Sequence, residues 1–307
     1  MTESERVDWL RLRRTGIGGT DMAAIMGLSP WKTPLDVYLD KTTDQPPEEA
    51  TPAMEWGLRL ENAIAEAFQD RHPEYAVKSL PFISGENHCC GSLDRVLSDE
   101  EGCAVGVLEI KTARSSTGWG DEGTDQVPMQ YIVQCMHYMG LTGANFAYIA
   151  VLIGGSDYRE YYLERDQSLI DTLAKTAKEW WEKHITGNVP PEPRTASDVQ
   201  VLYPSHTEGS YVNADEEMYQ GIVELAKQKA LIKSIEASCE TIEEKIKSAL
   251  CDAGEMRYNG QAVVTWRKSK DSTVVDVAAL PADIKKQYSK TRPGSRRFII
   301  KVKGEEE

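Results

Sequence analysis

Asp94, Glu109 and Lys111 are the residues whose types and spacing point to chemistry. Asp94 follows Gly91, Ser92 and Leu93 in a strand-like run from Cys89 to Val96. An acidic turn at 99–102 follows, and an apolar strand is expected from Ala104 to Thr112. A strand alternates faces with period two, so Glu109 and Lys111 point one way and Ile110 the other. Two carboxylates and an amine are thereby expected at one point. Hard oxygen ligands that close repel one another unless a cation sits between them, and Mg²⁺ or Mn²⁺ is the usual choice. The lysine can then orient a water molecule or help deprotonate it. This is a metal-dependent phosphodiesterase pattern. The competing reading is an ion pair on a solvated strand edge. Against it, Leu93, Val105, Val107, Leu108 and Ile110 predict buried strands, where charged groups need a reason.

The chain has 307 residues, 40% hydrophobic and 27% charged, enough for one large domain or one domain plus a smaller one. No apolar run is long enough to span a bilayer, and the charged N-terminus lacks a signal-peptide core, so a cytoplasmic protein is expected. Its six cysteines show no C-x-x-C spacing, which argues against a zinc site, a disulfide framework or an iron–sulfur cluster. The net charge of −14 opposes a surface coated with nucleic acid. It is uneven, however: residues 257–303 carry 12 Lys/Arg against three Asp, a local balance of +9, leaving −23 on the rest. A basic module on an acidic body fits a local DNA or partner contact.

The elements that would position the charged set follow from pattern. Arg6 to Arg14 mixes basic and apolar residues and leads through Gly16, Ile17, Gly18 and Gly19 to Thr20 and Asp21, the start of a short helix. Such a helix start offers N–H groups to an anion, although the lysine of a nucleotide-binding loop is absent. Thr33 and Pro34 open a helix over Leu35–Lys41, and a loop is expected at 42–52. Ala53–Asp70 is an amphipathic helix with Trp56, Leu60, Ile64 and Phe68 on its apolar side and Glu61 beside them. Residues 75–83, 89–97 and 104–112 predict three strands. Met129–Leu141 predicts a helix with Gln130, Gln134 and His137 grouped on its surface. Strands at 146–153 and 158–164 and a helix at 167–184 complete the core.

The expected fold is therefore α/β, a central mixed sheet flanked by helices over residues 1–190. A proline-rich linker is expected at 191–214, then a C-terminal part over 215–307. That part holds one long helix (215–253, roughly 58 Å if unbroken), ended by Gly254, and a hairpin around Asn259 and Gly260. A basic strand at 296–302 follows.

Taken together, Trp9 and Arg13, the Gly16–Asp21 run, Gly57 with Glu61 and Asn62, Gly91–Asp94, Glu109–Lys111, and Tyr131 with Gln134 resemble one family in order and spacing. The chain resembles the phage lambda-type alkaline exonucleases, the YqaJ-like viral recombinase group of the PD-(D/E)xK nucleases, over about residues 9–185. The resemblance implies a restriction-endonuclease-like core and a 5′→3′ exonuclease that digests one strand of linear double-stranded DNA. The 3′ single strand would be left for a single-strand annealing protein, in a phage or prophage setting within the bacterial cytoplasm. It also implies a homotrimeric ring and two Mg²⁺ ions (Mn²⁺ substituting) held by Asp94, Glu109 and the Ile110 carbonyl. Lys111 would position or activate water, Glu61 and Gln134 would support the site, and Arg13, Thr20 and Tyr131 would contact the DNA and its 5′ phosphate. The extension beyond residue 190 departs from the compact nuclease. A restriction-type or structure-selective endonuclease would share the same three residues. A non-catalytic DNA-binding scaffold would leave the carboxylates unexplained.

Overall fold

The computed structural model describes residues 3–43, 50–80, 82–277, 279–291 and 294–302. Most of the loop expected at 42–52, and Arg292 and Lys303 of the basic segment, lie outside the described residues. The chain divides into two compact units between Val199 and Gln200. Among the described residues, no helix is long and apolar enough to cross a membrane.

The first unit opens with α1 (Glu3–Arg14), α2 (Gly19–Ile25), α3 (Pro34–Thr42) and α4 (Pro52–Arg71). The strands β1 (Ala76–Lys78), β2 (Ile83–Ser84), β3 (Cys90–Gly91), β4 (Arg95–Ser98) and β5 (Ala104–Ala113) follow. Then come α5 (Met129–Thr142), β6 (Phe146–Ile153), β7 (Asp157–Glu164) and α6 (Gln167–Trp180), which runs on as a π-helical turn to Thr186. The sheet order is β1-β4-β5-β6-β7, with β5 and β6 parallel and the other pairs antiparallel. A parallel pair needs a crossover, and α5 provides it. This is the expected α/β architecture, a mixed sheet flanked by helices.

Helix starts follow local chemistry. Thr33 caps α3: its hydroxyl accepts from the Asp36 N–H at 3.2 Å, while the Asp36 carboxylate accepts from the Thr33 N–H at 2.8 Å. Against one face of the sheet, Ile64, Ala65 and Phe68 of α4 pack with Leu97, Leu108, Ile110 and Ala150. Trp56, expected on that apolar side, is instead 62% exposed, because the inward stripe begins a turn later at Leu60. On the other face α5 is enclosed by the sheet, α2 and α6. That enclosure corrects the surface grouping expected there, since Gln134 and His137 are buried.

Two of the expected strands are interrupted. Residues 75–83 divide into β1 and β2, and 89–97 into β3 and β4. The β2–β3 pair forms a small sheet of its own, and Asp94 sits in the bend before β4 rather than within a strand. A β-carbon on Gly91 would meet Leu141 and Tyr138 at 3.0 Å, so the chain passes close to α5 there before turning back.

The expected linker is partly ordered structure. Within it α7 (Ala196–Leu202) carries a buried Asp198. Its carboxylate accepts from the backbone of Arg194 and Thr195 and from the hydroxyls of Thr195 and Thr33. A chain ending after Ser205 is expected to keep the first unit folded. One ending at Asn188 loses the Asp198 bonds and should be less stable by about 1–3 kcal/mol. Equal thermal midpoints for the two truncations would contradict this.

The second unit contains α8 (Glu216–Leu250), β8 (Glu255–Tyr258), β9 (Gln261–Thr265) and α9 (Ala282–Tyr288). The expected long helix stops at Leu250, four residues before Gly254, with Cys251 taking a positive φ of 48°. The hairpin turns on Asn259 and Gly260, both at positive φ as a two-residue type I′ turn requires. The strand expected at 296–302 is irregular backbone, having no described strand to pair with, and α9 was not expected.

Candidate active site

Strand β4 begins at Arg95, opposite Leu108, so beyond that point β5 has no β4 partner. The Ile110 N–H exposed there donates to the Asp94 carboxylate at 2.7 Å. The N–H and C=O of one strand residue face the same neighbour, so the Ile110 carbonyl faces the Asp94 side as well. Alternation turns Glu109 and Lys111 to the opposite sheet face from the Ile110 side chain, and the Lys111 ammonium donates to Glu109 Oε1. From α5, Gln134 Nε2 donates to that same oxygen at 2.7 Å and to the Tyr138 hydroxyl at 3.2 Å. Glu109 Oε2 is left buried with no hydrogen-bond partner. A buried, unpartnered carboxylate oxygen is costly, and a cation removes the cost.

Asp94, Glu109, Lys111, Gln134 and Tyr138 line one cavity of about 450 Å³, together with Arg13, Gly18, Thr20, Glu61, Ser92 and Arg95. Arg13 Nη2 donates to the Thr20 hydroxyl at 3.3 Å, and its guanidinium lies over the Trp9 ring at 4.8 Å. Trp9 Nε1 donates to Ser92 at 2.8 Å, tying α1 to the loop that carries Asp94. Below Arg13, the Lys41 ammonium donates to the Arg13 carbonyl at 2.7 Å and to the buried Asp21 carboxylate at 2.8 Å. Asp21 also accepts from the Gly18 N–H at 3.1 Å, occupying one group at the start of α2. Gly19 lets α2 lie against α5, since a β-carbon there would meet Gln134 at 2.9 Å.

The structure thus brings Asp94, Glu109, Lys111, Gln134, Arg13 and Thr20 to one cavity. Glu61 also lines it, but is held at 2.5 Å by Arg95, whose other nitrogen donates to Asn62 at 2.5 Å. Arg95 also donates to the Asp94 carbonyl at 2.5 Å, so it locks the α4 carboxylate to the Asp94 bend. Sequence reasoning missed Arg95. Its signal was its place directly after Asp94, combined with the adjacent acid and amide at 61 and 62. Tyr131 lies outside this cavity: its ring is 5.1 Å from the Lys111 ammonium and stacks on Trp119 at 5.5 Å.

Among the described residues, no three or more His, Cys, Asp or Glu side chains converge as a metal cage. The donor set here is two carboxylates and a carbonyl, which leaves positions for water and phosphate oxygens. Mg²⁺ commonly keeps such positions. The orphaned Glu109 oxygen and the excess negative charge of the pair fit a hard divalent cation. All six cysteines are unbridged, with Cys89, Cys90 and Cys135 buried and Cys103, Cys239 and Cys251 exposed.

Burial pushes Asp94 above the usual carboxylate range, partly offset by Lys111 and the Ile110 N–H. Burial, then the Asp94 charge, pushes Glu109 up to about 8 against the pull of Lys111. Lys111 itself stays charged: burial opposes its proton, but Glu109 and Asp94 outweigh that effect. The folded chain therefore holds the Glu109 proton between the ordinary value near 4.5 and about 8, and stability falls as pH rises through that window. In chelator at pH above 8, Glu109→Gln is expected to raise unfolding stability by on the order of 5 kcal/mol. The gain should vanish near pH 4.5. Denaturant titrations at both pH values check this, and a gain independent of pH would contradict it.

Comparisons with known proteins place the chain. Residues 8–145 match the model of the YqaJ-like viral recombinase domain. Two solved structures of LHK-Exo, an alkaline exonuclease from Laribacter hongkongensis, are similar to it. The complex with dAMP has 17% identity, covers 59% of this chain and 93% of that one, and gives a TM-score of 0.48. The second, at 16% identity with the same coverage, gives 0.47. The uncharacterized protein YqaJ of Bacillus subtilis (strain 168) is 31% identical over 324 residues, covering 98% of this chain and 95% of its own. The chain belongs to the YqaJ-like viral recombinase family.

Proposed function

We propose that this protein is a divalent-metal-dependent 5′→3′ exonuclease that digests one strand of linear double-stranded DNA and leaves 3′ single-stranded overhangs. The observation that carries the reading is the buried, unpartnered Glu109 Oε2 in the same cavity as Asp94 and Lys111, whose amine is bonded to the other Glu109 oxygen. Asp94, Glu109 and the Ile110 carbonyl are the groups that would hold Mg²⁺ or Mn²⁺, in a pair of ions. When bound, such ions neutralise charge at the scissile phosphate and make water a better nucleophile. Lys111, bonded to Glu109, orients the water or a phosphate oxygen or helps to deprotonate the water. Gln134 fixes the Glu109 carboxylate, Arg95 and Glu61 fix the bend that presents Asp94, and Arg13 with Thr20 receives the 5′ phosphate. Tyr131, beside Lys111, adds a contact to the DNA strand.

The setting follows the same reading: a phage or prophage protein in the bacterial cytoplasm, assembled as a homotrimeric ring and working with a single-strand annealing protein. The basic segment of the second unit is a candidate contact for DNA or for that partner. End dependence is tested with Mg²⁺ on linear duplex and on covalently closed circular DNA. Digestion of the linear form from its 5′ ends, with the circle spared, is expected. Cleavage of the circle would instead favour an endonuclease built on the same three residues.

A further inference from the structure

We infer that Trp31 is a positioning residue, an aromatic platform on which the base of the terminal nucleotide stacks while its phosphates occupy the cavity of Asp94, Glu109 and Lys111. The inference rests on the nuclease reading. A second cavity of about 190 Å³ is lined by Trp31, Ala23, Ser29 and Tyr131, and it shares Thr20, Lys111 and Gln134 with the catalytic cavity. The two spaces therefore meet at the residues assigned to the 5′ phosphate and to the scissile phosphate. The terminal nucleotide lies between those two phosphates, so its base belongs in the adjoining space.

That space is the less polar of the two and ends at an indole that is 71% exposed. The loop that presents the indole is fixed rather than loose. Ser29 Oγ accepts from the N–H groups of Trp31 and Lys32 at 3.2 and 3.1 Å, and Thr33 then caps α3. Tyr131 is already stacked on Trp119, which leaves Trp31 as the open aromatic face of this cavity. Stacking suits an enzyme that must release any of the four nucleotides, because every base has a π-face.

The test uses matched 5′-phosphorylated duplexes whose terminal nucleotide carries its natural base or is abasic. Binding is measured in chelator, and single-turnover release in Mg²⁺, for the parent, Trp31→Ala and Trp31→Phe. The parent should bind and process the natural end about tenfold or more better than the abasic end. Trp31→Ala should lose this discrimination by falling on the natural end alone, and Trp31→Phe should keep most of it. Equal losses by Trp31→Ala on both duplexes, or no loss on either, would overturn the inference. Absence of metal-dependent release from both duplexes would overturn the nuclease reading alone, since base discrimination is read separately in the chelator arm.

Discussion

Lys111→Ala is expected to reduce nucleotide release from linear duplex DNA by at least ~10³-fold, the scale of losing a charged group aimed at the developing transition state. Asp94→Asn and Glu109→Gln should lose as much, for a different reason: each removes an anionic oxygen that would hold the cation. Stability separates the two kinds of loss. Lys111→Ala leaves two buried carboxylates without their ammonium, so its thermal midpoint in chelator should drop and recover on adding Mg²⁺. Glu109→Gln removes a charge that burial disfavours, so its midpoint should rise. Near-parental turnover by Lys111→Ala would remove that residue from the site.

A preference for 5′-phosphorylated ends is the second large effect expected. The Arg13 guanidinium and Thr20 hydroxyl are 3.3 Å apart and line the cavity of Asp94 and Glu109. A terminal phosphate can take a planar guanidinium and a hydroxyl together. Each round of hydrolysis that leaves a new 5′ phosphate recreates the group that Arg13 holds, and the pull keeps the next bond over the carboxylates. Initial rates on matched 5′-phosphate and 5′-hydroxyl duplexes should differ by roughly 10–100-fold for the parent. Arg13→Ala should erase most of that difference. Arg13→Lys should restore it poorly, because an ammonium lacks the fork and does not lie as well over the Trp9 ring. Equal parental rates on the two ends would leave Arg13 and Thr20 as structural residues.

What was legible in the sequence, and what was not, divides along physical lines. Strand alternation was enough to put Glu109 and Lys111 on one face, since period two is a local property. The bend that brings Asp94 to the Ile110 N–H is not local: it depends on where β4 begins opposite β5 and on how closely Gly91 passes α5. Helical period found the apolar side of α5, with Val133, Met136 and Met139. It could not show that α2 and α6 enclose the other sides, and that enclosure buries Gln134 and His137. Arg95 was hidden because its partners Glu61 and Asn62 lie more than 30 residues away on α4. At 296–302 the short run of basic and β-branched or aromatic residues suggested a strand, but a strand needs a neighbour to pair with, and none is described there.

The central claim is that Asp94, Glu109 and Lys111 form a hydrolytic centre that works through a divalent cation. Nucleotide release from 5′-labelled linear duplex, followed with Mg²⁺ and then with excess chelator, tests it most directly when the parent and Glu109→Gln are run side by side. Rapid release by the parent in Mg²⁺ alone, with none from the folded variant under either condition, is the predicted result. Release by the parent in chelator, or parental rates from Glu109→Gln, would contradict the claim.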